Sequence, residues 1–267
     1  MLDPAISDPM GNDLLQFLTY LPDHLFGLGL LFCRVSAAVM LLPGWGESDT
    51  PRMVRVGLAV AFTLVLYPPL ATQFPGSTTA AADIGMIAAE LAAGGLLGWL
   101  ARIIALALPL AGQFMSIQAG LSSVLQPDPE LGAQSAVLGQ LFSRALPVLV
   151  LATGLYRLPL YALAGSYAVM PAGNFFAAGD ATQLVVRAIG AYWSLAMRLA
   201  APFFLSGLLW QGALGLVARL VPRVQIYVVS APWQILGGLA LLAMLISAVL
   251  QVWGDTVGAA WAVLPGH

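Results

Sequence analysis

The chain has 267 residues, of which 60% are hydrophobic and only 8% charged, with a net charge of −2. Soluble domains are about 25% charged, so this one cannot cover a water-facing surface, and a pI near 5.5 lacks the basic footprint that nucleic acid requires. A mean hydropathy of +0.90, with apolar runs beyond the ~18 residues that suggest a spanning helix, predicts an all-α integral membrane protein. Residues 1–267 read as a single polytopic helical domain without an internal repeat.

The N-terminal tail is acidic (Asp3, Asp8, Asp13, Asp23), and the first 33 residues hold no Lys or Arg. A cleavable signal needs a positive n-region, so the first membrane helix is expected to be its own insertion signal. That span is expected over 25–43, closed at Pro43-Gly44 and followed by a charged loop with Glu47, Asp49, Arg52 and Arg55. A second covers 56–70, stopped at Pro68-Pro69 because proline removes a backbone donor. After a Gly/Ser/Thr linker come apolar stretches over 84–118, 140–170 (interrupted at Arg157 and Pro159), 182–221 and 226–252. The third and fifth are too long for one plain crossing: 35 residues make roughly 52 Å of helix against a hydrocarbon core of about 30 Å. Pro109 and Pro202 are the expected break points. Six spans with the N-terminus outside put the basic loops Arg52/Arg55 and Arg219/Arg223 in the cytoplasm, with Arg157 falling on the wrong side.

All ten basic residues are Arg. Arg34 lies mid-span, where a charge costs from about 2.5 to more than 10 kcal/mol, so it should face protein. Glu90 opens an i+4 row with Gly94, Gly98 and Arg102; small residues at that spacing let helices approach closely. Glu90 and Arg102 are about 18 Å apart along one helix, which makes Arg34 the natural partner for Glu90. Arg187, Ser194 and Arg198 share another stripe, and Gln140 with Arg144 a short polar edge. These groups either line a proton path with Glu90 as carrier, or are ion pairs and interhelical hydrogen bonds that hold an assembly together. The near absence of acids from the spans favours the second reading.

Neither His24 nor His267 suits a catalytic base or a metal-ligand set, and Ser122-Ser123 lacks a base. Neither a phosphate-cradling loop nor an acidic metal cluster is present, so no catalytic or metal site and no cofactor is expected. Cys33 excludes an internal disulfide.

Several positions, in order and spacing, resemble the FliR family of flagellar type III export, known as SctT in virulence secretion. They are Arg34 with Pro43, Gly44, Pro51 and Arg55; Glu90, Gly94 and Gly98; Gly112-Gln113, Gln118 and Gly120-Leu121 into Asp128-Pro129; Pro171 with Gly173; and Gly215, Arg219, Pro222 and Gln225 leading to Pro232 and Gly238. The resemblance implies long, partly broken helices and hairpins packed into a multi-subunit spiral gate, some lying above the bilayer. It implies FliP-like and FliQ-like gate subunits and an FlhB-like switch protein as partners, in the bacterial inner membrane at the flagellar basal body, besides membrane lipid. Unfolded flagellar subunits would be the cargo. It also marks the loop over about 122–137 as a plug, with Gly120 and Gly132 as hinges, Asp128 beside Pro129 within it, and Leu121, Val124 and Leu125 filling a narrow lumen. On residue physics alone the same loop is an ordinary interhelical connection. Arg34, Glu90, Gly94, Gly98, Arg102, Arg144 and Arg198 are the expected assembly and helix-packing positions. The rival from another class is a stand-alone secondary permease with Glu90 as proton carrier, a class that usually shows two related halves.

Overall fold

A computed structural model describes residues 9–46, 50–121, 136–175, 178–220 and 226–266. Among them the chain is helical, without strands: α1 (Pro9–Leu41), α2 (Arg52–Leu70), a 3₁₀ turn (Ala71–Gln73), α3 (Ala80–Ala105), α4 (Ala107–Gln118), α5 (Val137–Ala152), α6 (Arg157–Val169), α7 (Ala178–Leu220) and α8 (Ile226–Trp261). Five segments are long and apolar enough to cross a membrane, and α5 with α6 makes a sixth if the pair counts as one span. The candidate plug residues Val124, Leu125, Asp128, Pro129 and Gly132 lie outside the described residues.

Several element boundaries differ from the sequence reading. The third stretch breaks at Leu106, three residues before Pro109, so that the proline sits in the first turn of α4, where its missing N–H leaves no gap in the ladder. The fifth stretch does not break at all: α7 is one 43-residue helix with Pro202 inside it. One lost backbone bond costs less than opening an apolar helix and exposing several polar groups. The fourth stretch is interrupted at Gly154 (φ +74°), with Arg157 opening α6; glycine takes the left-handed conformation that ends a helix. Helix α8 also runs nine residues past the expected 252.

The chain divides into two compact units. The first comprises Met1–Trp99, Pro159–Ala181 and Pro265–His267. Its core is a stripe of α1 at helical spacing (Leu31, Val35, Ala38, Val39) packed on Ala59, Leu97, Leu163 and Tyr167. The second comprises Leu100–Leu158 and Thr182–Leu264. Here α4 lies on α5, with Gly112 placed where a Cβ would meet Phe142 Cδ2 at 2.6 Å and the Leu138 carbonyl at 2.8 Å. The Ser116 hydroxyl accepts the Leu138 N–H at 2.9 Å and so caps the first turn of α5, whose N-cap Ala136 has no side-chain oxygen to do it. Pro109 leaves the Ala105 carbonyl without its usual donor, and the Trp253 indole N–H of α8 fills that place at 3.1 Å. Eight residues on, Trp261 donates likewise to the Ala101 carbonyl at 3.1 Å.

Candidate functional site: a sealed ion pair and an open polar face

In the first unit the i+4 row of α3 lies along α1. A Cβ on Gly94 would land on the Arg34 carbonyl, and one on Gly98 would meet the Ala38 carbonyl at 2.7 Å. Only glycine permits this approach. It brings Arg34 and Glu90 together at the head of the row, both 0% exposed. Arg34 Nε donates to Glu90 Oε2 at 2.6 Å and Nη2 to Oε1 at 3.1 Å, the bidentate fork that makes Arg–carboxylate pairs strong. Arg34 Nη1 reaches the Ser166 hydroxyl (3.1 Å) and the Met170 carbonyl (3.0 Å). Glu90 accepts two further bonds, from the Tyr167 hydroxyl (3.0 Å) and the Gly173 N–H (2.8 Å). The guanidinium also lies 3.8 Å from the centre of the Tyr167 ring, a cation–π contact. Burying two charges is tolerable only when the remaining lone pairs and protons are met as well, and here Glu90 accepts four hydrogen bonds and Arg34 donates four of its five protons. One cluster therefore ties α1, α3, α6 and the turn after α6, where Gly173 holds φ +73°.

Tyr167, Ser166 and the Gly173 N–H are the members that sequence reasoning did not find. The first two are polar positions one helical turn from the 170–173 turn in an otherwise apolar stretch, which was the available signal. The saturation of Glu90 also bears on the permease rival: a proton carrier must meet water, and both of its oxygens are occupied and inaccessible.

The remaining candidates lie in the second unit. Arg102 is half-buried and engaged; Arg144 is exposed and engaged. Arg187, Ser194 and Arg198 are exposed on α7. Gly120 ends α4 with φ +72°, its N–H on the Ile117 carbonyl (3.2 Å) and the Leu121 N–H on the Ser116 carbonyl (3.0 Å). That pair of bonds is the Schellman arrangement. The same helix end is gripped by α7 and α8. Gln234 Nε2 donates to the Gln118 carbonyl at 3.0 Å, while Gly207 and Gly238 admit Gln118 and Ala119 where a side chain would clash. Among the described residues no three His, Cys, Asp or Glu side chains converge as a metal site would require.

Long apolar helices, five of them able to cross a bilayer, make this a multi-pass helical membrane protein. Residues 25–260 match the model of the bacterial export proteins, family 1, and the chain belongs to that family. It is 33% identical over 85% of its length to the flagellar biosynthetic protein FliR of Caulobacter vibrioides, 90% of which is covered. The protein of that name from Bacillus subtilis is 28% identical over 84% of this chain and 87% of its own. The Yop proteins translocation protein T of Yersinia pestis is 27% identical over 76% and 79%.

Proposed function

We propose that this chain is a structural and gating subunit of a bacterial flagellar type III protein export apparatus, forming part of the channel for unfolded flagellar subunits. It works with FliP-like and FliQ-like gate subunits and an FlhB-like switch protein, in the inner membrane at the flagellar basal body. The observation that carries the reading is the likeness to flagellar FliR proteins along nearly the whole of both chains. The build of the molecule supports it. The two fully buried charges of the first unit, Arg34 and Glu90, are consumed by each other and their neighbours inside one cluster, as suits a scaffold and not a carrier. The root of the loop at 122–137, the plug of this reading, is held by Gly120 in its left-handed cap and by Gln234.

Deletion of the gene should abolish flagella and the appearance of hook and filament protein in the medium, and the full-length chain should restore both. Shortening the loop should leave the chain in its complex but raise ion leakage across the membrane. Normal motility in the deletion strain would overturn the assignment to flagellar export, and a tight, export-dead membrane in the shortened variant would overturn the gating role.

A further inference from the structure

Helix α7 carries all of its charges but Arg219 in one half. Asp180, Arg187, Ser194 and Arg198 follow at spacings of 7, 7 and 4 residues, which keep all four on one side of a helix. Arg198 is followed by a charge-free run of 20 residues, 199–218, ended by Arg219. That run is the length one bilayer crossing needs, whereas the helix as a whole, at 43 residues, is about 64 Å long. The charged half therefore extends beyond the hydrocarbon.

This half is not dressed for water. Val186, Ile189, Trp193 and Met197 are all exposed around the two arginines. Neither Arg187 nor Arg198 has an ion-pair or hydrogen-bond partner among the described residues. At about 100° per residue these apolar side chains stand roughly 80–180° around the helix from the arginines, so outside the hydrocarbon this half shows apolar surface that calls for protein cover and, beside it, a face with two unpaired guanidiniums.

We infer that this face of α7 seats a helix of another polypeptide, one that carries two carboxylates about 16 Å apart, or eleven residues, opposite Arg187 and Arg198. The inference rests on the proposed membership of a multi-subunit export assembly. Two other occupants fit less well. Phospholipid phosphates lie in a polar layer only about 5–8 Å thick on each side of the bilayer, so one leaflet cannot meet both arginines of a helix that crosses it. A second copy of this chain brings two more cations for every Asp180 and leaves the face repelling itself. An acidic helix satisfies both guanidiniums through the planar fork that Arg offers to carboxylates.

The test uses the full-length, tagged chain in the membranes of the bacterium that makes it, with p-benzoylphenylalanine in place of Ser194. Irradiation should give one dominant adduct with a different protein, and the cross-linked peptide should carry two Asp or Glu residues three helical turns apart. Arg187→Glu with Arg198→Glu should reduce that adduct at least about tenfold, the scale of removing one partner of a desolvated charge pair. Arg187→Lys with Arg198→Lys, which keeps the charge, should retain most of it. The melting temperature of the purified variants should stay at the wild-type value, since neither side chain is packed in the core. An adduct with phospholipid, with a second copy of this chain or with a peptide lacking acids overturns the inference, as does an adduct indifferent to charge reversal. If the wild type leaves the membrane with no companion protein, both this inference and the export-assembly reading fail. If the complex survives and only the charge dependence is missing, the stripe alone is refuted.

Discussion

Replacing Glu90 with Ala should be among the most damaging single changes available to this chain. The carboxylate accepts from Arg34 Nε and Nη2, from the Tyr167 hydroxyl and from the Gly173 N–H, all in a region closed to water. Removing it strands a buried cation, which costs about 3–5 kcal/mol. It also orphans two neutral donors at about 1–3 kcal/mol each where no water can enter. The sum, above about 5 kcal/mol, compares with a total stability of about 5–15 kcal/mol for an ordinary domain. Trp fluorescence of the full-length chain in mild detergent should show melting lowered by about 10 °C or more, at the 2–4 °C per kcal/mol typical of this size. Glu90→Gln keeps the shape but points an amide N–H₂ at donors, so it should lose less than Glu90→Ala while still falling well below the wild type. The combined Arg34→Met and Glu90→Met variant should be more stable than Glu90→Ala alone, because no charge is left buried without its counterpart. A Glu90→Ala protein within 1 kcal/mol of the wild type would refute the reasoning. So would a double variant worse than the sum of its singles.

Gly94→Ala should lower stability by about 1–3 kcal/mol or more, since its Cβ would collide with the Arg34 carbonyl, whereas Gly95→Ala, next to it and facing open space, should be neutral or slightly stabilising. Thermal melting of the pair separates close packing from simple helix propensity. Trp253→Phe should cost about 1–3 kcal/mol in the same assay, because the Ala105 carbonyl has lost its helical donor to Pro109. Trp261→Phe should cost less, because the Ala101 carbonyl keeps its partner in the ladder of α3.

Composition and periodicity were enough for the class of fold, because a chain with so few charges has few ways to satisfy its backbone other than helices in an apolar medium. The row Glu90, Gly94, Gly98 was legible for a similar reason: two glycines at i+4 between charged residues in a long apolar run have little purpose except to admit another helix. Pro109 and Pro202 look alike as letters and behave differently. Pro109 has Trp253 to occupy the carbonyl it frees and a fresh helix start beside it, so the chain takes a turn at Leu106. Around Pro202 the helix runs on because residues on both sides propagate it. That difference is made by residues far away in sequence, which no local window contains. Tyr167 and the Gly173 N–H were hidden likewise: their meaning comes from a carboxylate 77 and 83 residues away.

The closure of Arg34 on Glu90 also fixes where contacts between subunits must come from. A guanidinium and a carboxylate that satisfy each other at 0% exposure have nothing to offer a neighbour. Their contribution to any assembly is indirect: they hold α1, α3 and α6 in one arrangement. The surfaces that remain include large apolar side chains, with Val65, Leu208 and Leu209 each 70% exposed or more, together with Arg187 and Arg198 on α7. Apolar contact alone gives adhesion without register, since lipid tails serve a leucine as well as another helix does. Two arginines at a fixed spacing accept only a partner whose acids match it, and like charges set against them are rejected. In a complex of several similar greasy helices, that is the property needed to put each chain in its own place. On this reasoning two pairs among the scarce charges of the chain have different tasks: one builds the subunit and the other selects its neighbour.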